Sequence, residues 1–174
     1  WSLIPAGSGL GGSSSLLVGL STALIQLEDL PVSQRQVIDW GGDIETQSIR
    51  VPTGRQDYFP AMYGGFNALW FELQGIRQEK LELPNQLKDQ LQHQLVLGYS
   101  GASRFSGAIN WDIVRRYIDG DSDTVTKMEK IRRIAGAMYE SLKCGDLDQF
   151  SQHLAEEWNN RKGLAEGVST PAVE

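Results

Sequence analysis

Residues able to do chemistry gather near the start of the chain, where Pro5-Ala6-Gly7-Ser8-Gly9-Leu10-Gly11-Gly12-Ser13-Ser14-Ser15 runs directly into an apolar stretch over 16–27. The pattern predicts a glycine- and serine-rich loop on the first turn of a helix. The first N–H groups of a helix have no internal partner, and the aligned peptide dipoles leave partial positive charge there. Glycines let the backbone approach an anion closely and adopt positive φ. Such a loop is suited to phosphate. Ser13, Ser14 and Ser15 add hydroxyls that can cap the helix or face a phosphate and its metal ion.

Three phosphate-binding patterns compete for these letters. Gly7, Gly9 and Gly12 fit the dinucleotide fingerprint G-x-G-x-x-G, which wants an acidic residue at the end of a second strand about 20 residues on. Glu28 and Asp29 stand at that distance, but they end the first helix and no strand separates them from it. The P-loop pattern demands a lysine that is missing here. The third pattern, P-x-G-x-G-L-G-S-S, is met by Pro5, Gly7, Gly9, Leu10, Gly11 and Ser13, with Gly12 where serine is usual. In this the chain resembles the GHMP small-molecule kinases. A flexible linker or tight turn is disfavoured by the helix that follows at once.

A second segment points the same way. Thr53-Gly54-Arg55-Gln56-Asp57-Tyr58, followed by Tyr63-Gly64-Gly65-Phe66-Asn67, resembles the G-x-Q-D-Q…GG stretch of the sugar-kinase branch of that family, with Tyr58 where a second glutamine is common. Glu45 stands twelve residues before Asp57, and Tyr99-Ser100-Gly101-Ala102-Ser103-Arg104 resembles a turn of the heptose-7-phosphate kinase type. Residues 158–171 are similar to the segment leading toward the family's last motif. The resemblance spans nearly the whole chain, in order.

The resemblance implies an ATP- and Mg²⁺-dependent kinase of a sugar or sugar phosphate, nearest the heptose-7-phosphate type, with fucose or galactose as alternative acceptors. Pro5, Gly7, Ser8, Gly9, Leu10, Gly11, Gly12, Ser13 and Ser14 would hold the ATP phosphates. Ser13 and Glu45 would bind Mg²⁺, and Asp57 would be the catalytic base. Arg55 would lower the pKa of Asp57 or contact phosphate. Tyr63, Gly64, Gly65 and Asn67, with Asp57, would line the sugar pocket. Arg104 would bind a substrate phosphate, since a guanidinium does so bidentately; a salt-bridged surface arginine is an equal reading. Taken alone, Glu45 and Asp57 read as surface carboxylates, and only the ordered match gives them roles. A dinucleotide-binding oxidoreductase and a non-catalytic ligand sensor on the same fold are the other functional readings.

Composition narrows the classes. The 174 residues carry a net charge of −6. Nucleic-acid binding rests on Lys and Arg neutralising phosphates, so an acidic chain without a basic stripe argues against that partner. Lys127, Lys130, Arg132 and Arg133 are interleaved with Asp121, Asp123 and Glu129 and read as a solvated helix face. No apolar run approaches the roughly 20 residues of a membrane span. The single Cys144 excludes an internal disulfide and fits a reducing cytoplasm. His93 and His153 stand apart, without the pattern of a zinc site. A homodimer is compatible with the resemblance. With no initiator Met, and Trp1 only a few residues before the loop, the chain reads as the central portion of a longer protein.

The elements that would position the site read as an α+β fold. A strand end over 1–4 would feed the loop, and the first helix would run over 13–28, stopped by Pro31. A second helix would start at the Ser33 cap with Val37, Trp40 and Ile44 on one face and a centre weakened by Gly41-Gly42. A hairpin would span 67–73 and 76–83 around Gln74-Gly75. A polar stretch would lead into a strand over 94–99, with a turn over 101–106. The rest reads as helices over 109–117, then one striped by Val125, Met128, Ile131, Ala135, Met138, Tyr139 and Leu142, then one striped by Leu147, Phe150, Leu154 and Trp158. By resemblance, 1–84 would belong to the GHMP N-terminal, ATP-binding domain, whose fold is like domain 2 of ribosomal protein S5. Residues 85–174 would belong to a helix-rich C-terminal domain.

Overall fold

The computed structural model describes residues 5, 7–50, 53–101 and 107–174. The expected strand over 1–4 and, beyond Gly101, the expected turn over 101–106, with Arg104, lie outside the described residues. The chain divides into two compact units, Trp1–Leu81 with Gly101–Gly107, and Glu82–Ser100 with Ala108–Glu174.

The first unit opens with helix α1 (Gly12–Leu27) and helix α2 (Gln34–Ile49). Ser33 caps α2 through a capping box. Its hydroxyl accepts the Gln36 N–H, and its own N–H donates to Gln36 Oε1 at 2.9 Å. A short helix α3 (Tyr58–Tyr63) follows, then strands β1 (Phe66–Glu72) and β2 (Gly75–Leu81). The strands pair antiparallel, with Phe66 opposite Leu81 and Glu72 opposite Gly75. The hairpin turn falls on Leu73-Gln74, within a residue of the expected place.

Val18, Ile38, Tyr58 and Phe59 form the core of this unit, flanked by Leu17, Met62, Leu69 and Ile76. The buried face of α2 differs from the expected one. Val37, Ile38, Gly41 and Gly42 face inward, while Trp40 and Ile44 are about half exposed. Helix α2 runs unbroken through Gly41-Gly42, and the pair admits its neighbours. A Cβ at Gly41 would come within 2.7 Å of Leu17 Cδ2 and 3.0 Å of Tyr58 Cε1. Gly41→Ala is therefore expected to destabilise the fold. Overpacking costs about 1–3 kcal/mol, against a gain of about 1 kcal/mol in helix propensity. A melting temperature raised by this substitution would show that the contact relaxes freely.

In the second unit, helix α4 (Asn85–Gln94) stands where a polar lead-in to a strand is expected. Pro84 precedes it, and Leu87 and Leu91, one turn apart, are both buried. That i, i+4 burial outweighs the strand-like letters that follow. Residues 95–100 join no ladder among the described residues, and Val96 is 92% exposed. Helices α5 (Gly107–Ile118), α6 (Ser122–Cys144) and α7 (Leu147–Arg161) complete the chain. Asp121 and Asp146 cap α6 and α7 by accepting the N–H groups of Thr124 and Gln149. The inward face of α6 carries Thr124, Ile134 and Ser141, so the expected stripe is rotated and Met128 and Ala135 lie outside it. Lys127 pairs with Asp123 and Arg132 with Glu129 along α6. No helix among the described residues is long and apolar enough to cross a membrane.

Candidate active site

The glycine-rich loop enters α1 through Gly11, the N-cap residue, at φ 66°. Gly7 and Gly9 also hold positive φ, and Ser8 N–H donates to Pro5 O at 3.2 Å, closing a tight turn. The serines do not cap the helix as expected, since among the described residues no side chain caps its N-terminus. The first-turn N–H groups are therefore left for an anion, with the positive end of the helix dipole behind them. Ser13 is exposed at this end and Ser14 is buried.

Asp57 precedes α3 and packs against this loop. A Cβ built on Gly11 would lie 3.3 Å from Asp57 Cβ and 3.5 Å from its Oδ2. The carboxylate therefore sits beside the backbone that leads into α1. Its pKa is raised above the ordinary 3.8, first by burial and then by the negative charge of Glu45. Glu45 comes from α2, and its Oε2 accepts the Tyr58 hydroxyl at 2.6 Å. Ser14, buried in the first turn of α1, lies near the same phenol and works against the rise in its pKa. Loop, Ser14, Glu45 and Asp57 are thus brought together from three elements.

Arg55 stands apart from the expectation. It does not lower the Asp57 pKa, which is raised. Its guanidinium donates to Asp39 Oδ1 at 3.2 Å and to Asp43, both on α2. It lies along the helix where Gly42 leaves room, 3.1 Å from the place a Cβ would take. Asp39 also accepts from Arg35, whose Nη1 donates to Ile76 O at 2.7 Å and whose guanidinium stacks over Phe59 at 5.4 Å. Arg35, Asp39, Arg55 and Asp43 form one chain that fastens the Asp57 loop and the hairpin to α2.

The other candidates are engaged elsewhere. Tyr63 packs on the core with its ring 6.3 Å from that of Phe59. Gly64 and Gly65 turn the chain from α3 into β1 at positive φ. Asn67 donates to Gly64 O and Gly65 O at 3.1 and 3.3 Å and accepts from Gln78 at 2.7 Å. It holds the turn, so its amide is occupied before any sugar arrives.

Sequence reasoning missed Tyr58 as the partner of Glu45, and Asp39 and Asp43 as the partners of Arg55. The signal for Tyr58 was available. A tyrosine directly after a candidate catalytic residue, on a helix with Phe59, is buried, and a buried tyrosine hydroxyl seeks an acceptor.

Among the described residues no three His, Cys, Asp or Glu side chains gather to hold a metal. Glu45 and Asp57 offer carboxylate oxygens, the donors a hard divalent cation takes. The negative charge of Glu45 adds, after burial, to the rise in the Asp57 pKa, and a cation between them would relieve it.

The comparisons with known proteins bear on the same residues. Residues 1–65 match the family described as GHMP kinases N terminal domain. The D-glycero-alpha-D-manno-heptose 7-phosphate kinase of Campylobacter jejuni is 29% identical over 175 residues, covering 100% of this chain and 51% of its own length. The bifunctional fucokinase/GDP-fucose pyrophosphorylase of Arabidopsis thaliana is 24% identical over 94% of this chain and 16% of its own length. Among solved structures, a D-glycero-D-manno-heptose 1-phosphate kinase from Bacteroides thetaiotaomicron superposes with a TM-score of 0.75 at 27% identity. That match covers 98% of this chain and 49% of the other. The chain spans about half the length of these heptose-phosphate kinases, and less of the bifunctional protein.

Proposed function

We propose that this chain, whose residues 1–65 match the family described as GHMP kinases N terminal domain, carries the phosphate-binding loop and the catalytic base of an ATP-dependent sugar kinase. The observation that carries this reading is the seat of Asp57 against Gly11, which puts a carboxylate beside an uncapped helix N-terminus. The N–H groups at the start of α1 hold the phosphates of ATP. Ser13 and Glu45 hold Mg²⁺, which when bound supplies charge neutralisation at the phosphate oxygens. Phosphoryl transfer asks the protein mainly for position and charge. Asp57 accepts the proton of the acceptor hydroxyl as that oxygen bonds to the γ-phosphorus and the bond from phosphorus to the ADP oxygen breaks. Arg55 serves by fixing the loop that carries Asp57. A dinucleotide-binding oxidoreductase loses support, because α1 is followed by α2 with no strand between to carry the acidic residue.

The acceptor class is a heptose phosphate, supported by the relatives that match nearly the whole chain. Their names place the phosphate on different carbons, and fucose is the alternative from a third relative. Arg104 remains the candidate for the acceptor's phosphate. The lone, exposed Cys144 supports a cytoplasmic setting. The test is ADP formation with Mg²⁺ and heptose 7-phosphate, heptose 1-phosphate or L-fucose. Turnover on a phosphorylated heptose supports the full reading, and turnover on fucose alone changes the acceptor. ATP binding without turnover on any sugar replaces the kinase by a ligand sensor.

The raised pKa of Asp57 sets a pH dependence. Only the deprotonated carboxylate accepts a proton, so kcat/KM falls as pH drops through the Asp57 pKa of the free enzyme. The acid limb is expected above 3.8, the ordinary aspartate value. A limb at or below that value would show that burial and Glu45 do not govern this group.

A further inference from the structure

We infer that Tyr58 is a positioning residue for the metal site, one that holds the Glu45 carboxylate in the orientation from which it meets a divalent cation at the start of α1. The inference rests on the kinase reading for its consequence in turnover, and on geometry alone for its effect on cation binding.

Tyr58 is fully buried, among the largest such side chains of the chain. Its ring is wedged against α2 where Gly41 has no Cβ, and against Leu17 and Phe59 in the core. The ring therefore has one seat, and its hydroxyl is fixed in space by packing rather than by the bonds it makes. From that seat the single hydroxyl proton has two acceptors, Glu45 Oε2 at 2.6 Å and Gly41 O at 3.3 Å. The shorter bond, to a charged acceptor, is the stronger. A rigid aromatic group thus fixes one oxygen of Glu45, and among the described residues no hydrogen bond engages the other, Oε1, which faces the place of a cation in this reading.

A glutamate in the middle of a helix has three side-chain torsions to order before it can serve as a ligand. The Tyr58 bond orders them in advance. Partners of this kind, which touch the ligand residue and not the metal, typically govern metal affinity by 10–100-fold. The position matters because G-x-Q-D-Q is the pattern the segment otherwise follows. A glutamine at 58 lacks a ring to wedge at Gly41, so in this chain the pair Gly41 and Tyr58 forms a single device.

The test uses Tyr58→Phe, which keeps the ring and its packing and removes only the hydroxyl. Mn²⁺ binding is titrated by electron paramagnetic resonance without nucleotide or sugar. The Mg²⁺ concentration for half-maximal ADP formation is measured alongside. Tyr58→Phe is expected to weaken Mn²⁺ binding by about tenfold and to raise half-saturating Mg²⁺ by the same factor, with the sugar KM within twofold. Glu45→Gln should lose the Mn²⁺ site, and adding Tyr58→Phe to it should change Mn²⁺ binding no further. Unchanged Mn²⁺ binding in Tyr58→Phe, with its melting temperature intact, overturns the proposal. So does a tenfold loss of Mn²⁺ binding by Tyr58→Phe in the Glu45→Gln background. If Tyr58→Phe misfolds, Gly41→Ala, whose methyl would stand 3.0 Å from Tyr58 Cε1 and shift the phenol, is expected to weaken Mn²⁺ binding by a smaller factor. No effect there overturns the proposal as well. Failure of the unaltered protein to turn over any sugar would reject the kinase reading, while the Mn²⁺ titration still decides the role of Tyr58.

Discussion

Asp57→Asn is expected to lower turnover by about 10²–10⁴-fold, the range for a positioned general base, while leaving the fold at least as stable. The two effects have one cause. Asp57 is held half-buried beside Gly11 and within the field of Glu45, and both raise its pKa. A group whose folded pKa is raised supports the fold fully below its unfolded pKa and loses that support as pH rises through the folded value. At pH 7 the ionised carboxylate therefore works against folding, in exchange for its place at the phosphate loop. Asparagine keeps the shape and removes the charge. ADP formation and a thermal melt at pH 7 read both halves. Turnover retained by the variant would remove Asp57 from the role of base. A melting temperature lowered by several degrees would mean that the charge is held by a partner outside the described residues.

Gly11→Ala carries the second large effect. Gly11 caps α1 at φ 66°, where an alanine costs about 1–2 kcal/mol. The added methyl would also stand 3.3 Å from Asp57 Cβ, closer than most such contacts, so the loop and the base must move apart. Displacements of about 1 Å at a reacting centre can cost about 10²-fold in rate, and a 3.3 Å contact asks for a smaller shift than that. Gly11→Ala is accordingly expected to lower kcat/KM for ATP by about tenfold, within that bound, with a modest fall in melting temperature. Gly9→Ala is the informative control, since Gly9 shares the positive φ but has nothing within 4 Å of the place a Cβ would take. Equal losses in the two variants would assign the effect to loop strain and remove the Gly11–Asp57 contact from the account.

Much of the first unit was legible from local chemistry. Ser33 announced the start of α2, Pro31 bounded the first helix, and Gln74-Gly75 announced the hairpin. Each of these signals acts within four residues, so neighbours in the chain suffice to read it. The faces of the helices were less legible. Trp40 and Ile44 share the spacing of Val37 but look outward, because the inward direction at α2 is set by where Leu17 and Tyr58 lie. The strand expected over 94–99 failed for a related reason. Buried Leu87 and Leu91 favour a helix before it, and strand letters need a partner to become a strand.

By itself the sequence determined the kind of chemistry. A lysine-free glycine–serine loop opening a helix is suited to an anion held by backbone and dipole, and the ordered resemblance, not the residue types alone, gives the carboxylates at 45 and 57 their roles beside it. The tertiary structure decided which residues act together. It seated Asp57 on Gly11, gave Glu45 to Tyr58, and committed Arg55 to Asp39 and Asp43 and Asn67 to its own turn. Residue type states what a side chain can do. Its pKa and its free valences depend on burial and on partners that arrive from other elements, and these exist only after α1, α2 and α3 have packed.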